Sequence, residues 1–194
     1  MLYSILRLLS AIILKILFCF RAKGLEHIPK KGGFILASNH VSYLDPVTLG
    51  VACPRKLNFM ARHDLFFSPL FSWLISTLGA FPIKRDSADH SALKEALRRL
   101  KNGNALVLFP EGSRGINGIS NQPQAGIGFL AIKLDVPVIP AFIKGTERAL
   151  PKGAKFIRPN KISVHFGKQI SIERRMPYQE IAKQIMESIG HLSC

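Results

Sequence analysis

Gly33-Phe34-Ile35-Leu36-Ala37-Ser38-Asn39-His40-Val41-Ser42-Tyr43-Leu44-Asp45-Pro46 is the stretch from which the fold is read. An apolar run from Gly33 to Ala37 stops at a polar pair, and Pro46 then opens a helical pattern that lasts to Ala52. The same alternation continues on either side. Short apolar runs predict strands over Leu57 to Ala61, Ala80 to Ile83, Ala105 to Phe109, Val136 to Ala141 and Lys161 to Phe166. Helical patterns fall at Leu70 to Leu78, Ala88 to Lys101, Gly126 to Leu134 and Tyr178 to Ser188. Strand-length runs bounded by Gly, Pro or Asn and alternating with helices read as one α/β domain, a mixed sheet flanked by helices. In the helix over Ala88 to Lys101, Leu93, Leu97 and Leu100 take core spacing, while Lys94, Arg98, Arg99 and Lys101 are expected to point outward.

At 194 residues the chain is long enough for one sizeable core, and no shift in composition divides it into two. Hydrophobic residues make up 47%, which excludes the polar, highly charged composition of a disordered chain. Lys and Arg number 27 against 12 acidic residues, a net charge of +15, and this favours a polyanionic partner: nucleic acid, an anionic bilayer or a phosphorylated ligand. Nucleic acid is the poorest fit, because zinc spacing, basic-region heptads and aromatic single-strand motifs are all missing. Cys19, Cys53 and Cys194 are odd in number and lack metal-ligand spacing, which suits a reducing, cytoplasm-facing location. The six histidines are scattered, so no metal site is expected.

Residues 1–23 are set apart from a domain over 24–194. Met1 to Phe20 is almost wholly apolar, and at about 100° per residue Ser4, Arg7, Ala11 and Lys15 fall on one narrow stripe. A spanning helix wants roughly 20 apolar residues, and a charge near its centre costs about 3 kcal/mol. An anchor lying in the membrane interface, with Arg7 and Lys15 turned to lipid phosphates, avoids that cost. A secretory signal is disfavoured, since no small-residue cleavage site follows.

Four segments could carry chemistry. Asn39-His40 leaves an apolar strand with Asp45 five residues after the histidine, a spacing that lets a carboxylate hold one ring nitrogen while the other takes a proton. The same Asp45-Pro46 pair also reads as a helix cap and first-turn proline. Phe109-Pro110-Glu111-Gly112-Ser113-Arg114 offers an acceptor, a donor fork and a glycine that lets backbone come close, or else a plain turn with an exposed ion pair. Gly79-Ala80-Phe81-Pro82-Ile83-Lys84-Arg85 ends in two cations suited to a phosphate. Val136-Pro137-Val138-Ile139-Pro140-Ala141 has no reactive group and reads as a buried strand with prolines at its boundaries.

Together and in this order, the four segments resemble the glycerolipid acyltransferase family, whose best-known members acylate 1-acylglycerol-3-phosphate. The stretch from Asp64-Leu65-Phe66 to Gly79-Ala80-Phe81, with Pro69 and Trp73 inside it, is also similar to bacterial members. The resemblance runs from about Gly24 to Ala141. Ser113 stands where many members have Thr, and Gly115 where Ser is common. It implies that His40 is the base that takes the proton from an acceptor hydroxyl and that Asp45 orients its ring. Arg85, Glu111, Gly112 and Arg114 are implied in acceptor binding, with Asn39 and Ser113 supporting the motif loops. The implied acceptor is lysophosphatidic acid, the donor acyl-coenzyme A or acyl carrier protein, and no further cofactor is called for. Membrane lipids are the expected partners, at the cytoplasmic face of the inner membrane. Acylation of another lysolipid, such as lyso-ornithine lipid, and a non-catalytic basic membrane adaptor are the competing readings.

Overall fold

Phe34–Ser38 forms strand β2, and all five of its residues are buried. A strand covered on both faces needs an unbroken apolar run rather than alternation, and that is what this sequence supplies. The computed structural model describes residues 2–84, 89–112, 123–151, 153–154 and 156–193. Along the chain the elements are helix α1 (Leu2–Phe18), β1 (Arg21–Lys23), β2, α2 (Asp45–Ala52), β3 (Leu57–Arg62), α3 (Pro69–Thr77) and β4 (Ala80–Ile83). Then come α4 (His90–Lys101), β5 (Ala105–Leu108), α5 (Gly126–Leu134), β6 (Val138–Lys144), α6 (Thr146–Ala149), β7 (Ser163–Phe166) and α7 (Tyr178–Gly190).

The seven strands make one sheet in the order β1-β7-β6-β2-β5-β3-β4. All neighbours are parallel except β6 and β7, so the sheet is mixed, as expected. Right-handed crossovers that step first towards β4 and then back place α2 and α3 on one face and α4 and α5 on the other. The two cores agree with this. Leu49 and Ala52 of α2 pack with Phe34, Leu36 and Val107, while Ala96 and Leu100 of α4, Ile127 and Leu130 of α5 and Ile181 and Ile185 of α7 pack with Ile35, Leu106 and Val138. Gly128 lets α5 and α7 touch: a Cβ there would sit 2.4 Å from the Tyr178 carbonyl oxygen.

Three expectations need correction. Arg7 does not face lipid phosphates. Its guanidinium donates to the carbonyls of Gly50 (3.1 Å), Val51 (3.2 Å) and Cys53 (2.9 Å), the chain end of α2. A cation there satisfies orphan carbonyls and complements the helix dipole, which binds α1 to the domain. Arg99 does not point outward either. It donates to Glu95 (2.7 Å), Asn58 Oδ1 (2.5 Å) and the Gly79 carbonyl (2.9 Å) and lies over the Phe81 ring. Arg98 and Arg99 together draw the Glu95 carboxyl down to about 2. Pro140 is inside β6, not at its boundary. It precedes the β7 ladder, which begins at Ala141 opposite Phe166, so its missing N–H breaks no bond of that ladder.

Candidate active site

Because β2 and β5 run parallel with Ala37 opposite Leu108, their carboxyl ends deliver the His40 and Phe109 segments to the same edge of the sheet. Ligand sites of open α/β sheets gather at that edge. His40 Nδ1 lies 2.8 Å from Asp45 Oδ2, with the carboxylate wholly buried. The carboxylate accepts, so Nδ1–H donates, and Nε2 is left with no partner among the described residues. Asp45 is not a helix cap. The same Oδ2 accepts from the backbone N–H groups of Val41 and Ser42, each at 2.7 Å, and so gathers the turn that precedes α2. Asn39 holds that turn to the sheet: its amide donates to the Ile143 carbonyl (2.9 Å) and its Oδ1 accepts from the Ile143 N–H (2.8 Å). Ser42 Oγ donates to the Leu150 carbonyl at 2.8 Å and accepts from the Leu44 N–H, which makes it a brace.

Sequence reasoning missed the role of Phe109. Its ring stacks on the His40 imidazole, with centroids 4.1 Å apart and planes 18° from parallel. The residue was legible as the end of a strand, but the stack depends on β2 and β5 being neighbours. Phe109→Leu is expected to lower kcat by roughly three- to tenfold, the range of an aromatic pair, with Phe109→Tyr restoring it. Initial rates at saturating substrate decide this, and an unchanged kcat in the leucine variant would remove the stack from the mechanism.

Glu111 follows in the next turn and is only 6% exposed. That turn is closed by Gly112 N–H to the Phe109 carbonyl (2.9 Å) and by Gln124 N–H to the Pro110 carbonyl (2.7 Å). Gly112 has φ +66°, and a Cβ on it would press on the Gln124 side chain at 3.0 Å, so the position favours glycine. Ser113, Arg114 and Arg85 lie outside the described residues.

A cleft of about 480 Å³ opens beside Phe109 and Gly112. Met60, Ile83, Leu93, Ile127 and Leu130 line it with apolar surface, and Lys84, Asp89 and His90 add polar groups from the β4–α4 connection at the carboxyl edge. Asp89 caps α4 by accepting from the N–H groups of Ser91 and Ala92 and also takes the Lys84 N–H, bonds that hold its carboxyl far below the usual range. An apolar recess with a polar rim suits a ligand that has a chain and a charged head.

The acyltransferase family model matches residues 19–144. The chain belongs to that family. The match takes in β1 to β6. A 1-acyl-sn-glycerol-3-phosphate acyltransferase of Streptococcus pneumoniae is 33% identical over 76% of this chain and 54% of its own length. A chloroplastic enzyme of the same name from Arabidopsis thaliana is 31% identical over 70% of this chain and 38% of its own. The chain therefore spans about half the length of these curated relatives or less. The crystal structure of a 1-acyl-sn-glycerophosphate acyltransferase from Thermotoga maritima superposes with a TM-score of 0.82 at 25% identity, covering 99% of this chain and 80% of that one.

Proposed function

We propose that this acyltransferase moves a fatty acyl group from a thioester onto the sn-2 hydroxyl of 1-acylglycerol-3-phosphate, giving phosphatidic acid for phospholipid synthesis. The observation that carries the reading is the His40–Asp45 pair at the carboxyl edge, with Nδ1 committed to the carboxylate. Nε2 takes the proton of the acceptor hydroxyl as that oxygen attacks the thioester carbonyl. The tetrahedral intermediate collapses by breaking the C–S bond, and the imidazolium returns the proton to the leaving thiolate. Asp45 stabilises the imidazolium in between. No acyl-serine is needed, because a thioester is already activated and Ser42 is spent on bracing.

Arg85 and Arg114 serve the acceptor phosphate by charge-assisted hydrogen bonds, and Glu111 and Gly112 shape the wall beside it. The donor is acyl-coenzyme A or acyl carrier protein, a co-substrate rather than a bound cofactor. The enzyme works from the cytoplasmic face of the membrane. Support for attachment comes from α1, whose Ile5, Leu8, Leu9, Ile12, Ile13, Ile16 and Leu17 are exposed while Leu14 and Phe18 pack inward. Among the described residues no helix is long and apolar enough to cross a membrane, and a helix lying in the interface fits that length.

The test is transfer of labelled palmitoyl from each donor onto lysophosphatidic acid and onto other lysolipids, with purified protein in mixed micelles. Phosphatidic acid is the expected product. Product with another lysolipid alone would sink the acceptor assignment, and none with any acceptor would sink the reaction.

A further inference from the structure

We propose that α3, with the turn before it, is a second bilayer-inserting element that lies alongside α1 and completes one lipid-contacting face. The inference rests on the membrane reading of α1 given above and extends it to a segment that carries none of the motif chemistry.

No residue of α3 is buried, although its sequence is Pro-Leu-Phe-Ser-Trp-Leu-Ile-Ser-Thr. Leu70 is 77% exposed, Trp73 57% and Phe71 44%, and Phe67 just ahead of the helix is 71% exposed. Isolated apolar side chains on a surface need no explanation, but four large ones within seven positions, three of them in one short helix, do. The topology puts α3 on the face of the sheet that α2 covers and α1 overlies.

Lys56 ties the two helices. Its ammonium donates to the Thr77 carbonyl at the end of α3 (3.0 Å) and sits 5.1 Å from the Tyr3 ring centroid near the start of α1. The end of α3 thus lies near the start of α1, whose outward apolar row begins at Ile5.

The occupant is an anionic bilayer. A net charge of +15 opposes close approach of a second copy or of a basic protein, whereas negative lipid headgroups are drawn to it. Lys56 lies at the end of α3, and an aromatic residue such as Trp73 is suited to the headgroup boundary. At the other end of α1, the cluster of Leu14 and Phe18 takes in Leu44, the residue before Asp45, so α1 is packed beside the histidine turn.

Trp73 is the single tryptophan of the chain and reports on this segment directly. The intact protein is mixed with vesicles of phosphatidylglycerol and phosphatidylethanolamine, with and without brominated acyl chains. The expected result is a blue-shifted Trp73 emission that brominated lipid quenches at least twofold. Leu70→Asp places an acid in the first turn of α3, where the helix dipole favours it, so the helix is kept while the apolar contact is lost. Its partition onto vesicles is expected to fall by about tenfold or more, the loss of one large buried side chain. Protein that floats with the vesicles while Trp73 stays unquenched and Leu70→Asp binds normally would overturn the inference and leave the α1 reading intact. Failure of the intact protein to float would overturn both. A blue-shifted emission already present without lipid and reversed by dilution would give the face to a second copy and overturn the bilayer assignment.

Discussion

Replacing His40 with alanine is expected to lower acyl transfer by roughly 10²- to 10⁴-fold, the contribution of a positioned general base, while the protein still folds and still floats on vesicles. The expectation follows from what the ring does and does not support. Asp45 keeps its two backbone donors from Val41 and Ser42 when the imidazole is removed, and Asn39 keeps its paired bonds to Ile143, so the turn retains its shape. What is lost is one hydrogen bond and one ring stack, together about 1–3 kcal/mol of stability. Initial rates, a thermal melt and flotation separate the two effects. Turnover near normal in a folded His40→Ala protein would remove the base from the mechanism.

Asp45→Asn is expected to be nearly as damaging to rate, roughly 10³-fold, and more damaging to stability. The carboxylate is wholly buried, and one of its oxygens accepts from three donors. An asparagine presents one acceptor oxygen and one amide donor in that space. With its oxygen in the place of Oδ2 the asparagine keeps all three donors but lacks the charge that stabilises the imidazolium. With its amide there instead, Nδ1 can only accept, the ring proton is forced to Nε2, the atom that must be free to accept, and the two backbone donors are left unpaired inside the protein at about 1–3 kcal/mol each. The discriminating measurement is the double variant. Residues acting as one unit give strongly non-additive losses, so His40→Ala with Asp45→Asn should be about as slow as His40→Ala alone. A double variant slower by the product of the two single losses would mean that the pair does not work as a dyad.

How much of this was legible in the sequence depended on how local each feature is. β2 could be read because a doubly covered strand is an unbroken apolar run, and the His40–Asp45 pair because five residues of turn bring the two together. β1 could not. Arg21-Ala22-Lys23 carries no apolar period, and it is a strand only because β7 lies beside it. The four residues of α6 are likewise too few to show a helical pattern. Arg7 read as a lipid-facing cation because its three carbonyl partners are more than forty positions away along the chain, where periodicity says nothing. Asn39 read only as a loop former for the same reason, its partner being Ile143. Phe109 depended on strand order, and the burial of Glu111 on how the following turn closes. The residue types of the site were thus visible locally, while the contacts that hold them in place were set by topology.

The pairing of β1 with β7 has a consequence for the order in which the protein is made. A ribosome releases α1 before the domain that follows it, but Arg21 finds its strand partner only at Ser163, and Leu14 and Phe18 pack on Ala149 and Ile162. The end of α2, which takes Arg7, follows early, but the surface that covers Leu14 and Phe18 is complete only once Ile162 has been made. Its outward row can meet a membrane before its inward row meets protein, so the nascent enzyme is expected to be recruited to the bilayer first and to close its sheet there. Crosslinking ribosome-bound chains stalled before residue 149 to lipid would establish that sequence of events, and chains that reach vesicles only after release would contradict it.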